Sequence, residues 1–567
     1  MNKNLAIQEI EERRFFWPVV FFVAFSIFLL FALPRINQSV AQEDLHKLLA
    51  AKALYNQRKA YADSPHLYAR SVEFAFRLFG ESEEAARLPG ILSGLLSIAL
   101  VFILIRTLIP EGKTSRNPLA AWGALFYGAT PAVIQGSVII DVDNTILVPS
   151  ILFLFLAVAK VEQEKKVKWF IFLAFAVAVA LWCRVTTPFV VVLLLLFYLF
   201  VDQNSFRFKG VSVGAILLGA LIFLASWYFY CQTTGMTFSL PWNYSLEALK
   251  ERTHRTGALT PFRVFQDLVY LTLWLGPLTA LLFFIFAIRR FLPFFKKPGW
   301  NREDIFLAGS LVILGGYTLV GGATFGFPKY HCPGIPLMVI WLGGTAGQQR
   351  IDLSHEGLRL RDIFFVAVAA FLIQIFVAGD ILYFLRYEWR EFLAFGLSTP
   401  SEIFKNSAVR ITLYFFALII LFLIGLRFFF RKNPTWLVMV MSLGLNLGMG
   451  FLQSTADYQT GYDYGAKGAK EAARFLRDRV PAKSVVIAPR EIFYYLGYDK
   501  SNRGWLPPEA LEKRLRDSKT SAFVISVVAQ TVDQIQTISN ADSLQKLLHR
   551  QFDSFTVGSF KIWIHKK

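Results

Sequence analysis

Cysteine is scarce in this chain. Its three cysteines, Cys183, Cys231 and Cys332, lie in or near hydrophobic runs. They show no metal-ligand spacing and imply no disulfide scaffold. No Gly-rich phosphate loop follows a strand, so no nucleotide site is read. No internal repeat is evident. The first apolar run, residues 15–33, lacks a small-residue cleavage site, because Leu33-Pro34-Arg35 follows it. It therefore reads as a retained helix and not as a signal peptide.

What the sequence does hold is apolar surface. Of 567 residues, 55% are hydrophobic and 57 are Phe, with a mean hydropathy of +0.46. A soluble domain has about 45–50% apolar residues, so the composition indicates a polytopic membrane protein. The formal charge of +19 does not indicate nucleic acid. The Lys and Arg residues gather in short loops between apolar runs, as the positive-inside bias requires.

Hydropathy and loop charge predict thirteen transmembrane helices. They fall near residues 15–33, 89–108, 119–138, 145–160, 169–182, 187–201, 211–230, 268–288, 305–323, 333–346, 363–384, 409–427 and 434–452. The N-terminus is expected in the cytoplasm, and an odd count puts the C-terminus outside. Residues 1–452 form the membrane domain, with an outer first loop at 34–88. Within that loop, residues 44–61 predict an amphipathic surface helix, with Leu45, Leu48, Leu49 and Leu54 against Lys47, Lys52, Arg58 and Lys59. A second helix is predicted over 68–79, stopped by Gly80. Pro89 is expected in the first turn of the next helix. Residues 453–567 change in composition and predict a small external α/β domain, with strands near 484–488, 521–528, 552–557 and 560–564.

Three polar clusters fall on one side of this topology. They are Glu43-Asp44, Asp141-Val142-Asp143, and Lys329-Tyr330-His331. Paired carboxylates suit a divalent ion such as Mg²⁺ or Mn²⁺, which prefer oxygen ligands. They equally suit activation of an acceptor hydroxyl. Asp-x-Asp alone is as readily a solvated turn. Lys329 and Tyr330 are as readily interfacial anchors as a clamp for a lipid phosphate. Arg184, beside Trp182, is a second candidate clamp. His66 and Tyr68 are candidate substrate contacts, although a loop histidine and an interfacial tyrosine fit the same positions.

One stretch is more specific. It reads Glu43-Asp44, then Ser64-Pro65-His66-Leu67-Tyr68, then Leu78-Phe79-Gly80-Glu81-Ser82-Glu83-Glu84-Ala85-Ala86-Arg87-Leu88-Pro89. With Asp141-Val142-Asp143 and Lys329-Tyr330-His331-Cys332-Pro333-Gly334-Ile335-Pro336, it resembles the polyprenyl-phosphate-sugar-dependent membrane glycosyltransferases of GT-C fold. These include the lipid A aminoarabinose transferase and the protein O-mannosyltransferases. The acidic pair is reversed relative to the family's Asp-Glu, and Ser64 replaces the first proline of its Pro-Pro-Leu-Tyr element.

The resemblance implies an inverting transfer of a sugar from a polyprenyl-phosphate donor to a lipid, glycan or protein acceptor. Glu43 or Asp44 would be the catalytic base. Asp141 and Asp143, with Glu43, would hold a divalent metal or face the donor phosphate. Lys329 would meet the lipid phosphate, and Tyr330, His331, Arg184, Tyr68 and His66 would line the substrate site. The expected setting is the inner membrane of the cell, with membrane lipids around a monomer and no nucleic-acid partner. Two rivals remain at this stage. A lipid-linked saccharide transporter or flippase predicts charges in mid-helix and inverted repeats. A polymerase or ligase using a lipid diphosphate leaves the first-loop acidic pair unexplained.

Overall fold

The apolar runs read as spans are helical over most of the residues that this computed structural model describes. The structure describes residues 3–40, 42–57, 65–111, 116–184, 188–201, 204–243, 246–247, 250, 268, 271–272, 274–294, 303–319, 327–348, 360–378, 400–428, 434–454, 468–481, 484–497, 513, 515–516, 520–526, 542–558 and 560–566. The chain divides into two units. The first comprises Met1–Pro34, Leu49–Leu372 and Ile420–Gly450, and the second Arg35–Leu48, Ile373–Ile419 and Phe451–Lys567.

The first unit is helical. Its elements begin with α1 (Lys3–Ala32), then α2 (Gln42–Tyr55), whose first residues belong to the second unit. There follow α3 (Leu67–Phe79), α4 (Glu83–Leu108), α5 (Arg116–Gly128), α6 (Pro131–Ser137), α7 (Leu147–Glu164), α8 (Val167–Cys183), α9 (Pro188–Leu196) and α10 (Phe206–Thr234). Then come α11 (Pro277–Phe294), α12 (Asp304–Leu319), α13 (Gly334–Gln348) and α14 (Leu360–Ile373). Two further helices, α15 (Pro400–Phe428) and α16 (Pro434–Ser454), each have residues in both units. Among the described residues, Trp17–Arg35, Glu83–Leu108 and Phe206–Thr234 are long and apolar enough to cross a membrane. Shorter apolar helices include Val167–Cys183, Asp304–Leu319 and Gly334–Gly347.

The core of this unit is α4, packed against α5, α7 and α13. Its start differs from the sequence expectation. Ser82 caps the helix, its Oγ accepting from the Ala85 amide at 3.1 Å, and Glu83 and Glu84 occupy the first turn. Acidic residues there complement the positive end of the helix dipole. Pro89 therefore falls in the second turn and not the first, where it has no N–H to give the Ala85 carbonyl. Gly80 ends α3 with φ +83°, a conformation costly for a residue with a Cβ.

The predicted span 119–138 is two helices, α5 and α6. Thr130 takes an extended conformation (φ −67°, ψ 125°) ahead of Pro131 at the α6 start. The proline ring disfavours helical backbone at the residue before it, so the helix breaks there. In α2 the buried arc is Leu45, Leu48, Ala51 and Leu54, at three-residue spacing. Lys47, expected on the polar face, is buried, and Leu49, expected on the apolar face, is 52% exposed.

The second unit carries a four-stranded sheet. Its strands are β1 (Val485–Ile487), β2 (Thr520–Ser526), β3 (Phe552–Val557) and β4 (Phe560–His565), in the order β1-β2-β4-β3. The β1–β2 pair is parallel, and β2–β4 and β4–β3 are antiparallel. Alternation sorts the side chains to two faces. Ala522, Val524, Phe560 and Ile562 pack with Ala469, Ala472 and Leu476 of α17 (Ala469–Arg479) and with Ile492 of α18 (Arg490–Leu496). Phe523 and Trp563 face the other way, stacked at 5.3 Å, with Leu547 and Leu548 of α19 (Asp542–Gln551).

Gly90 of α4 lies directly against α6. A Cβ placed there would stand 2.2 Å from the Ser137 carbonyl oxygen. Both sides of that contact are backbone, so Gly90→Ala forces the helices apart. The expected loss is about 1–3 kcal/mol, read as a lower thermal unfolding temperature of the detergent-solubilised protein. An unchanged temperature would mean the two helices are not held at this spacing.

Candidate active site

The segment between α6 and α7 is short and rich in Asp, Asn and Thr, residues that bond their own backbone in turns. The Asp141 carboxylate accepts from the Val142 amide at 2.7 Å, and the Asp141 amide donates to the Ile139 carbonyl at 2.9 Å. The Asn144 side-chain amide donates to the Ile139 carbonyl at 3.3 Å and to that of Gly136, and the Thr145 hydroxyl bonds the Asp141 carbonyl. Arg87 of α4, 1% exposed, donates from Nε to the Val138 carbonyl at 2.8 Å. A buried arginine thus fixes the start of the loop that carries the aspartates. This is not a solvated turn: Asp141 is 5% exposed and Asp143 2%.

Each aspartate meets a cation. Lys329 Nζ lies 2.9 Å from Asp141 Oδ2, with both side chains buried. Arg184 Nη1 pairs with Asp143 Oδ2. Lys329 reaches the loop from a tight 3-10 turn, Lys329–His331, that joins the region after α12 to α13. Its amide donates to the Phe327 carbonyl at 2.9 Å, and the His331 amide donates to that of Pro328 at 3.0 Å. Arg184 follows the last turn of α8 in extended conformation.

Both cations also meet one aromatic ring. Arg184 Cζ lies 4.8 Å and Lys329 Nζ 4.9 Å from the centre of the Tyr330 ring. Tyr330 in turn stacks on Tyr317 of α12, with centres 5.3 Å apart. The ring's electron-rich face favours cations, more so away from water. The result is two carboxylates and two cations around one tyrosine. The two cations are not equally enclosed: the Arg184 side chain is 19% exposed and that of Lys329 5%. The arginine is the one within reach of an arriving anion.

The other expected contacts are placed differently. His331 is completely buried, and its Nε2 lies 3.2 Å from the Thr318 hydroxyl. Tyr68 is 1% exposed, inside the fold. His66, also buried, joins a second network: its Nδ1 lies 2.7 Å from the Tyr230 hydroxyl of α10. Arg70 donates to that hydroxyl at 3.5 Å and to Glu73 at 2.6 Å, and Arg77 donates to Glu73 at 2.8 Å. Tyr230 packs on Trp182 and Trp227, so this network stands two residues of chain from Arg184. Glu43 and Asp44 lie in the first turn of α2, and their side chains are outside the described residues.

Asp141 and Asp143 do not make a metal cage by themselves. Each already carries a cation, and no group of three His, Cys, Asp or Glu side chains able to hold an ion occurs among the described residues. A hard divalent ion takes about six oxygen ligands, more than these two paired carboxylates offer. Sequence reading passed over Arg87 as a working residue and gave Tyr230, Tyr317 and Thr318 no role. Arg87 stands inside the Arg-Leu-Pro run, which was the available signal.

Burial by itself raises the pKa of Glu73, but the hydrogen bonds from Arg70 and Arg77 outweigh it and hold the carboxyl below its ordinary value. A depressed folded pKa adds stability above the unfolded pKa, lost as pH falls through the folded value. Docking of α3 should therefore weaken in acid, below about pH 4.3. Glu73→Gln should cost about 1 kcal/mol at neutral pH, a figure discounted for the half-exposed arginines. It should also flatten the acid limb of the unfolding temperature against pH. An unchanged acid limb in the variant would assign that pH dependence elsewhere.

Residues 63–229, which hold Arg87, Asp141, Asp143 and Arg184, match the family model described as dolichyl-phosphate-mannose-protein mannosyltransferase. No curated protein matches the chain in sequence. Among solved structures, ArnT from Cupriavidus metallidurans bound to undecaprenyl phosphate superposes with a TM-score of 0.57 at 15% identity, covering 96% of this chain and 97% of that one. Its apo form gives 0.56 at 14% identity, with the same coverage of 96% and 97%. The resemblance read from the first-loop and Arg-Leu-Pro motifs is thus borne out: a stretch in the first half of the chain matches the mannosyltransferase family model, and nearly the whole chain has the GT-C membrane fold of ArnT.

Proposed function

We propose that this protein is an inverting glycosyltransferase that moves a sugar from a polyprenyl-phosphate-linked donor to an acceptor at the outer membrane face. The observation that carries the reading is the convergence of Arg184 and Lys329 on Tyr330, each beside a buried aspartate. Such charge is expensive within a membrane protein, and its position marks a working site. The matched family is named for dolichyl-phosphate-mannose transfer, and a solved structure of the same fold carries undecaprenyl phosphate. Both names support a lipid monophosphate as the donor's leaving group.

In the proposed reaction the acceptor hydroxyl or phosphate attacks the anomeric carbon. A hydroxyl gives its proton to Glu43 or Asp44, a role that rests on the sequence resemblance. The bond from that carbon to the phosphate oxygen breaks, and a single displacement inverts the configuration. The departing polyprenyl phosphate gains negative charge. Arg184, the accessible cation, offers planar paired donors to it, while Lys329 adds a fixed positive charge behind. Preorganised donors in a dry site stabilise such charge far more than water does. Asp141 and Asp143 hold the two cations in place and balance their charge until the lipid arrives. The acceptor is a lipid, a glycan or a protein, and the sugar a hexose or pentose.

The test is transfer by the purified protein from a panel of polyprenyl-phosphate-linked hexoses and pentoses. Arg184→Ala should lower kcat/KM about 10²-fold or more and also lower the unfolding temperature, because the buried Asp143 loses its cation; Arg184→Ala with Asp143→Leu should recover the temperature and not the transfer. Lys329→Met should lose about 3–5 kcal/mol of stability, because the buried Asp141 carboxylate loses the lysine charge beside it. Lys329→Met with Asp141→Leu should recover the stability and not the transfer. A double variant with wild-type transfer would remove these residues from the chemistry.

A further inference from the structure

We propose that the α7–α8 turn, with the start of α10, is a binding site for an anionic phospholipid headgroup in the leaflet opposite the active site. Helix α7 begins just after Asp143 and ends at Glu164. Its 18 residues span about 27 Å at ~1.5 Å per residue, close to the ~30 Å of a bilayer's hydrocarbon core. The turn therefore stands about one hydrocarbon thickness from the aspartates.

The turn is built, not merely charged. Lys165 ends α7 in left-handed conformation, φ +50°, a costly choice for a residue with a long side chain. That conformation carries Lys165 Nζ to the Asn204 side-chain oxygen at 2.6 Å and to 5.0 Å from the Phe208 ring centre. Asn204 donates back to Glu162 at 3.0 Å. This bridge ties the end of α7 to the start of α10. Next to it, Lys168 and Lys160 stand 5.0 and 5.7 Å from the Trp169 ring. Glu164 pairs with Lys160 and Lys166, yet the Lys166 side chain stays 64% exposed.

Charge and apolar exposure together select the ligand. Over residues 160–169 and 202–209 the sequence has six basic residues against three acidic. The surface there is also apolar: Val167 is 74% exposed and Phe206 93%. Lysines whose ammonium groups stand beside a tryptophan, flanked by bare apolar side chains, match the headgroup level of a membrane. A phosphate diester with net negative charge answers the lysines, and its acyl chains cover Val167 and Phe206. A zwitterionic headgroup lacks the net charge to answer the basic excess.

The experiment reads Trp169 fluorescence in nanodiscs. Brominated acyl chains on either phosphatidylglycerol or phosphatidylcholine serve as quencher, and the Trp169→Phe protein supplies the background. The wild type should be quenched by phosphatidylglycerol at a mole fraction on the order of tenfold lower than by phosphatidylcholine. Lys166→Gln with Lys168→Gln leaves the Lys165–Asn204–Glu162 bridge intact and should reduce that preference at least about threefold. Equal quenching by the two lipids would overturn the proposal, as would an undiminished preference in the double variant.

Discussion

Two ion pairs on buried aspartates, Asp141 with Lys329 and Asp143 with Arg184, set the terms for the surrounding structure. Buried pairs seldom stabilise a fold better than apolar residues of the same size would. Two of them on one loop are therefore a burden that the rest of the fold has to carry. The surrounding structure does so with hydrogen bonds and packing. Arg87 anchors the loop at Val138, Asn144 and Thr145 bond its backbone, and the tight turn at Lys329–His331 aims the lysine. Tyr330 supplies a shared aromatic face for both cations, backed by Tyr317.

This arrangement explains why α4 sits where it does. Ser82 and the two glutamates after it start the helix well before its apolar stretch. That early start puts Arg87 inside a regular helix, where its direction is fixed. Gly90, one turn on, allows α4 to meet α6 backbone to backbone. The Arg-Leu-Pro run is thus a mechanical part: it fixes where α6 ends, and the aspartate loop begins there.

Much of the fold was legible from hydropathy, because long apolar runs in a membrane protein have few options other than helix. The strands of the second unit were legible as short β-branched and apolar runs; their alternation, with Ala522 and Val524 on one face and Phe523 on the other, shows only in the fold. What hydropathy missed is chemistry inside the runs. It read one span across Thr130-Pro131, where proline breaks the helix, and it began α4 at Pro89, because Glu83 and Glu84 are polar. In the site, the aspartates, Arg184 and Lys329 were each visible as residues out of place. Their pairing was not, because nothing local in the sequence marks a contact across the 188 residues that separate Asp141 from Lys329.

If the aspartates hold the cations in readiness for a phosphate, carboxylate and phosphate compete for the same guanidinium. The most direct measurement is the affinity of the purified protein for a polyprenyl phosphate, in wild type, Arg184→Ala and Asp143→Asn. Phosphate binding at Arg184 predicts affinity weakened at least about tenfold by loss of the arginine, a charge-assisted contact, and tightened by loss of the competing charge at Asp143. Equal affinity in all three proteins would contradict it and move the lipid phosphate to another part of the molecule.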